Sequence, residues 1–178
     1  KTSDMTLVDY CVTKTGYCEN QVFIFIFCIR RFFIIFNANG KPFLEIGKEA
    51  PALTLSSHSR LNDLSDLDGK YVVINFWNPN DPVSRINNRR LSDITSNLNS
   101  SKVKFVSICT GENDVLANEI MKVDNVSDKT ISLSAKDFTP QITEDFQINT
   151  GNRSFMIDPF GNLVSISPTE EFINSILS

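Results

Sequence analysis

The sequence is poor in the side chains from which metal centres and acid–base sites are usually built. It has one histidine among 178 residues, His58, which lies in the stretch Ser56-Ser57-His58-Ser59. A serine-rich segment of this kind is typical of a solvated loop. A histidine-based metal site or catalytic triad would have to be built on this residue alone. We therefore predict no metal site and no cofactor.

Long runs of one kind of residue are also scarce, which excludes two classes of partner. There is no long basic run, and the formal net charge of −4 argues against nucleic acid as a partner. The most apolar run, residues 22–36, is shorter than the roughly 20 residues that span a bilayer. Arg30 and Arg31 lie at its centre, where charge is costly in a membrane. We predict no membrane span within this chain.

The apolar run is better explained by two strands, approximately Val22–Ile29 and Phe32–Phe36, with the arginines at a turn or edge. We predict that residues 1–40 form an N-terminal β-rich arm with a β-hairpin, and that these strands pair within this protein or with a partner chain. The chain begins without methionine, which fits a removed signal peptide as well as a shortened sequence.

Four cysteines, at positions 11, 18, 28 and 109, leave two interpretations open. The Thr-Gly turn between Cys11 and Cys18 can bring their backbones within bridging distance, and a disulfide there would favour an oxidising compartment. The alternative is that both are unpaired in a loosely ordered arm. Cys28 and Cys109 lie in apolar strands, and we predict that they are small buried hydrophobes.

A strand followed by a helix forms the centre of the predicted fold. Tyr71–Trp77 is β-branched and aromatic with one polar interruption, which is typical of a strand covered on both faces. Asp81 can cap a helix, and Pro82 suits its first position. Apolar residues recur at helical spacing after it, namely Val83, Ile86, Leu91, Ile94 and Leu98.

Strands and helices continue to alternate along the chain, which is typical of an α/β fold. The predicted elements are a strand at 103–109, a helix at 114–123, a strand at 130–133, a short helix at 142–146 and a hairpin at 154–166. Val115, Leu116, Ile120 and Val123 give the second helix its periodicity. A capping box that begins at Ser167, with Pro168 at the first helical position, predicts a closing helix.

Several motifs in this order resemble thioredoxin-like proteins of the TlpA/ResA type, which are related to the AhpC/TSA peroxiredoxins. They are Gly47-x-x-Ala50-Pro51, Asp68-Gly69-Lys70, Asn75-Phe76-Trp77, Arg85 and Phe155-Met156-Ile157-Asp158-x-x-Gly161. The resemblance covers about residues 46–177. It implies a thioredoxin-like sandwich over residues 41–178, with a central mixed sheet flanked by helices, and a periplasmic or cell-envelope location.

The catalytic motif of that family is missing. Its Cys-x-x-Cys pair falls on Asp81 and Ser84, and its cis-proline falls on Asn152, where a trans peptide bond is expected because non-proline cis bonds are costly. Trp77 either packs under the loop as core or lines a remnant groove with Asn152. We expect the core role. Trp77, Asp81, Ser84 and Asn152 are thus degenerate active-site positions, and we predict no catalytic residue.

Two functions remain open. The first is a redox-inactive thioredoxin-like domain of the cell envelope that binds a protein or peptide at the former active-site edge, or serves as a structural module. The second is a thiol-disulfide oxidoreductase that uses displaced cysteines, namely Cys11 and Cys18 or Cys109. The first is favoured, because the cysteines of the arm lie outside the matched region and at no predicted helix N-terminus.

Overall fold

The computed structural model describes residues 25–29, 32–36, 44–55, 67–99, 101–148 and 153–177. The chain divides into two units, residues 1–43 and 44–178. In the first unit, β1 (Phe25–Ile29) and β2 (Phe32–Phe36) pair in antiparallel orientation, with Ile29 opposite Phe32. The predicted division of the chain after residue 40 stays a prediction.

The second unit alternates strands and helices in the predicted order. Its strands are β3 (Tyr71–Trp77), β4 (Val103–Cys109), β5 (Ile131–Ser134), β6 (Ser154–Ile157) and β7 (Leu163–Ile166). Its α-helices are α1 (Pro82–Ser96), α2 (Asp114–Val123), α3 (Ile142–Asp145) and α4 (Glu170–Leu177). None of the helices in the described part of the chain has the length and apolar character needed to cross a membrane.

The five strands form one mixed sheet in the order β5-β4-β3-β6-β7. β3 runs parallel to β4 and antiparallel to β6, so it has a hydrogen-bonded neighbour on each side. The prediction that Tyr71–Trp77 lies in the sheet interior is therefore confirmed. The burial of β3 explains its composition, because a strand covered on both faces needs apolar side chains at both odd and even positions.

Layers on the two faces of the sheet bury these side chains. On one face, Val73 packs with Leu91 and Ile94 of α1 and with Ile173 of α4. On the other face lies an aromatic cluster in which the ring of Phe146 is 5.3 Å from that of Phe76 and 5.1 Å from that of Phe155. Helices thus flank a central mixed sheet, as predicted.

The helical periodicity predicted the helices but not all of their buried faces. In α1, Val83 and Ile86 are 75% and 69% exposed, and Leu91 and Ile94 are buried. The N-terminal half of α1 instead turns Ser84 and Asn88 towards the sheet. In α2, Val115 and Val123 are also exposed, and Ala117 is the buried residue of that helix.

The predicted start of the closing helix is also wrong. α4 begins at Glu170, and the hydroxyl of Thr169 accepts a hydrogen bond from the backbone N–H of Phe172 at 3.2 Å. Ser167 has a left-handed backbone with φ of 55°, and its N–H donates to the carbonyl of Ser154. The hydroxyl that caps the helix is therefore that of Thr169, two residues after the predicted Ser167.

We expect Phe146→Ala to lower the free energy of unfolding by about 3–5 kcal/mol, because it removes a fully buried ring that contacts two others. Phe160→Ala is the matched control, since Phe160 is 89% exposed and its loss should cost less than about 0.5 kcal/mol. Urea unfolding of both variants measures the difference. Equal losses in the two variants would contradict the assignment of Phe146 to the core.

Candidate functional site

The candidate site lies at the edge of the sheet where β3 and β4 end. The two strands are parallel and in register, so Trp77 and Cys109 lie side by side at their carboxyl ends. The loop of residues 78–80 leads from Trp77 to the start of α1. In open α/β sheets this edge is the usual position for a functional site.

Asp81 is the N-cap of α1. Its Oδ1 accepts a hydrogen bond from the backbone N–H of Val83 at 3.1 Å, and Pro82 follows at the first helical turn, where its missing N–H costs nothing. Its Oδ2 accepts a hydrogen bond from Nη1 of Arg153 at 3.0 Å. Both carboxylate oxygens are therefore engaged, one by the helix end and one by the residue that precedes β6.

Ser84 lies one turn into α1 and is 5% exposed. Its Oγ accepts a hydrogen bond from the backbone N–H of Asn78 at 2.9 Å. This bond ties the first residue of the loop back to the helix that the loop leads into. Ser84 thereby satisfies a loop amide that would otherwise lack a partner near the core.

Trp77 and Cys109 form a small apolar cluster with Ala117 of α2, so Trp77 lies in the core beneath the loop. The indole Nε1 of Trp77 is buried and has no hydrogen-bond partner among the described residues. The Sγ of Cys109 accepts a hydrogen bond from the N–H of Gly111 at 3.3 Å. Burial raises the pKa of the Cys109 thiol above its usual value, which disfavours the reactive thiolate.

The loop of residues 78–80 is in close contact with the loop that follows β4, through Pro79 and Gly111. A Cβ built on Gly111 would lie only 2.8 Å from the Cδ of Pro79, so a side chain at that position would require Pro79 to shift. The carbonyl of Trp77 also accepts a hydrogen bond from the N–H of Thr110 at 2.8 Å. The loops that follow β3 and β4 are therefore packed against each other.

Three of the predicted site residues, Asn152, Cys11 and Cys18, lie outside the described residues. Arg153, which follows Asn152, is described, and its carbonyl accepts a hydrogen bond from the N–H of Phe76 at 2.7 Å. Its guanidinium reaches Asp81. The structure thus brings Trp77, Asp81, Ser84 and Arg153 together at one edge.

Sequence reasoning missed a network of amide side chains behind the site. Nδ2 of Asn75 donates to Oδ1 of Asn88 at 3.0 Å, and Oγ of Ser107 donates to the same oxygen at 2.9 Å. Nδ2 of Asn87 donates to Oδ1 of Asn75 at 3.1 Å. Part of the signal was present in the sequence, because Asn75 is the one polar interruption of β3.

A second missed contact joins α1 to α2. Arg85 forms a two-pronged pair with Asp124, with Nε to Oδ2 at 2.9 Å and Nη2 to Oδ1 at 2.6 Å. Hydrogen bonding to Arg85 lowers the pKa of the Asp124 carboxyl below its usual value. Arg85 was among the residues that resemble thioredoxin-like proteins, but nothing in the sequence identified its partner 39 residues away.

The described ranges contain no cluster of three or more histidine, cysteine, aspartate or glutamate side chains arranged to hold a metal ion. The side chains of the site are a carboxylate, a hydroxyl, a guanidinium and an indole. They can accept and donate hydrogen bonds, but Ser84 has no neighbouring base among the contacts described above to activate it as a nucleophile.

Comparison with known proteins gives consistent matches over this unit. Residues 46–166 match the AhpC/TSA family. The thiol-disulfide oxidoreductase ResA of Bacillus subtilis (strain 168) is 24% identical over 152 residues, which cover 82% of this chain and 83% of that protein.

Solved structures match the same part of the chain. A thioredoxin-like protein from Parabacteroides distasonis ATCC 8503 has a TM-score of 0.61 and 21% identity, and the match covers 75% of this chain and 95% of that one. A thiol:disulfide interchange protein of the thioredoxin family from Chlorobium tepidum TLS has a TM-score of 0.57 and 21% identity, covering 73% and 94%. These matches and the sheet order together confirm the predicted thioredoxin-like fold.

The Arg85 to Asp124 pair should make stability depend on pH. Since the pKa of Asp124 is depressed in the folded protein, its stabilising effect is present above the unfolded pKa of about 3.9 and is lost as pH falls through the folded value. We expect the stability difference between the parent and Asp124→Asn to be largest near neutral pH and to shrink in acid. Chemical unfolding across a pH series measures it.

Asp93→Asn is the control, because Asp93 pairs with Arg89 at 3.7 Å and its side chain is 55% exposed. Such exposed pairs contribute little to stability. Its effect should be smaller than that of Asp124→Asn at every pH. A stability difference for Asp124→Asn that stays constant from neutral pH into acid would contradict the lowered pKa of Asp124.

Proposed function

The chain belongs to the AhpC/TSA family and folds as a thioredoxin-like domain, and we propose that it is a redox-inactive member that binds a protein or peptide. The binding site in this proposal is the edge formed by the loop of residues 78–80, the start of α1 and Arg153, with Trp77 buried beneath the loop. Such a domain keeps the family scaffold as a binding or structural module and does not exchange disulfides.

The observation that carries this proposal is the state of the two residues at the expected cysteine positions. Disulfide exchange needs a thiolate at the helix N-terminus and a second thiol to resolve the mixed disulfide. Here Asp81 caps the helix and pairs with Arg153, and Ser84 is buried and bonded to the loop. Neither side chain can form a disulfide, and both already have structural roles.

The remaining polar groups at this edge suit recognition. Asn80 is exposed and Val83 is 75% exposed, and Asp81 and Arg153 are partly accessible beside them. An exposed apolar side chain next to charged and amide groups offers both burial and hydrogen bonding to a peptide. The proposed location is the cell envelope, as the family resemblance implies, and fractionation of cells expressing the natural protein tests it.

The alternative function is thiol-disulfide oxidoreduction by displaced cysteines, and the match to ResA favours it, because that relative is named a thiol-disulfide oxidoreductase. Cys109 lies in the part of the chain whose burial the structure describes. It is 4% exposed, and the pKa of its thiol is raised. Both features oppose attack on a disulfide. The alternative then requires Cys11 and Cys18 to exchange disulfides. Counting free thiols would show whether these two cysteines form a disulfide.

We expect that the parent protein does not increase the rate at which dithiothreitol reduces insulin. The triple variant Asp81→Cys, Ser84→Cys, Asn152→Pro should gain measurable reductase activity, because the N-terminus of α1 would lower the pKa of the first thiol. Insulin turbidity and thiol titration measure both proteins.

Cys11→Ser and Cys109→Ser variants of the parent are the controls. Insulin reduction by the parent that disappears in either control would overturn the redox-inactive assignment and establish the displaced-cysteine function. If the triple variant stays inactive while circular dichroism shows it folded, the edge does not present the helix N-terminus as a thioredoxin-like site does.

The binding half of the proposal is tested by photocrosslinking. A photoreactive amino acid in place of Asn80 should give a discrete adduct in envelope extracts, because that residue is exposed in the loop at the centre of the edge. The same replacement at Phe160, which is 89% exposed in the β6 to β7 turn, is the control. Identical adduct patterns from the two positions would argue against recognition at this edge.

A further inference from the structure

The helix α2 covers two groups at the carboxyl ends of β3 and β4. Ala117, Ile120 and Met121 of this helix pack against Trp77 and Cys109. Trp77 is 1% exposed and Cys109 is 4% exposed. The helix is therefore one of the elements that keep water away from an indole and a thiol.

Fewer buried side chains attach α2 to the sheet than attach α1. Six side chains of α1 are buried, whereas Ala117 is the one buried side chain of α2, with Ile120 and Met121 half-buried beside it. Regions with few buried contacts open at a lower free energy than the rest of a fold. The indole N–H of Trp77, which has no partner within the described ranges, lowers this free energy further, because water can bond it once α2 moves away.

Polar contacts at the two ends of α2 hold it in place. At the C-terminal end, Asp124 accepts two hydrogen bonds from Arg85 of α1, and these side chains are 18% and 31% exposed. At the N-terminal end, Asp114 accepts a hydrogen bond from the hydroxyl of Ser134 at 3.2 Å and lies 3.7 Å from Nζ of Lys136. Because the side chain of Asp114 is 55% exposed, the pair at the C-terminal end is the stronger contact.

The chain on either side of α2 is fixed to the rest of the second unit. Before the helix, the N–H of Thr110 donates to the carbonyl of Trp77 at 2.8 Å. After it, the N–H of Ser127 donates to Oγ of Ser92 in α1 at 3.0 Å. A movement of α2 can therefore be confined to residues 111–126.

We propose that α2 is a hinged cover over Trp77 and Cys109, and that the pair of Arg85 with Asp124 holds it closed. The two larger apolar clusters of the described residues include no residue of α2, so both keep their packing when the cover opens. Opening exposes an indole, a thiol and the inner face of α2 beside the proposed binding edge. This inference concerns the closure of the helix and does not rest on what binds at that edge.

Alkylation of Cys109 by iodoacetamide measures how often the cover opens. The full chain is labelled without denaturant at several reagent concentrations, and mass spectrometry of its peptides separates Cys109 from the other three cysteines. The labelling rate, divided by that of the chain unfolded in urea, gives the fraction of open molecules.

We expect Asp124→Asn to raise this labelling rate about threefold to tenfold, because a two-pronged and partly buried pair contributes more than an exposed one. Asp93→Asn is the control. Its pair with Arg89 lies within α1, so the labelling rate should stay at that of the parent. Equal rates in the parent and Asp124→Asn would overturn the proposal.

An exchange of the two charges tests whether the pair itself holds the cover closed. Arg85→Asp alone should raise the labelling rate at least as much as Asp124→Asn, because it places two acids together. The double variant Arg85→Asp, Asp124→Arg should return the rate towards that of the parent. Both exchanged charges suit their helix ends, since the acid lies near the N-terminus of α1 and the base at the C-terminus of α2. A double variant that labels as fast as Arg85→Asp would contradict this role of the pair.

Two further variants show which part of the chain moves. Phe146 belongs to an apolar cluster without α2 residues, so Phe146→Ala should leave Cys109 labelling unchanged while it lowers stability. If labelling required unfolding of the whole unit, that variant would raise the rate at least about a hundredfold. Ser84→Ala removes the bond to the N–H of Asn78 and loosens the loop of residues 78–80, and it should also leave the rate unchanged.

Faster labelling in Phe146→Ala or in Ser84→Ala would overturn the proposal, because the opening would then be global unfolding or a movement of the loop. Circular dichroism checks that every variant is folded. None of these outcomes depends on insulin reduction or on crosslinking at the edge, so the proposed function is tested separately.

Discussion

The position of α1 on the sheet depends on hydrogen bonds made by the buried face of that helix. Four polar residues, Ser84, Asn88, Ser92 and Thr95, follow one another at intervals of three or four along that face. Ser84 bonds the loop after β3, Asn88 bonds β3 and β4, and Ser92 accepts from the N–H of Ser127 beyond α2. Because a buried polar group without a partner costs more than the bond is worth, these contacts fix the register of the helix against the sheet.

The same constraint explains what could be predicted from the sequence. The strand Tyr71–Trp77 and the cap at Asp81 rest on local rules of burial and helix termination, and both lie where those rules place them. The buried face of α1 could not be predicted in this way, because hydropathy assigns Val83 and Ile86 to the core and Asn88 to the surface. Only the positions of Asn75 and Ser107 on neighbouring strands make the polar face favourable.

The candidate site shows the same division between local and distant causes. That Asp81 and Ser84 lack thiols is readable from the chain, given the resemblance. That Asp81 bonds Arg153 across 72 residues, and that Ser84 closes its own loop, depends on which strands are neighbours. These contacts connect the fold to the proposed function, since they turn two positions of a reactive motif into parts of the scaffold that holds the edge in place.

The burial of Trp77 has a spectroscopic consequence. It is the single tryptophan of the chain, so the indole emission of the whole protein arises at the end of β3. Its surroundings are apolar, with the Cys109 sulfur and α2 nearby and the loop of residues 78–80 above it. Excitation at wavelengths that tyrosine does not absorb therefore reads out the polarity and rigidity of this one edge. The protein thus carries its own optical probe beneath the proposed binding edge, and no label needs to be introduced.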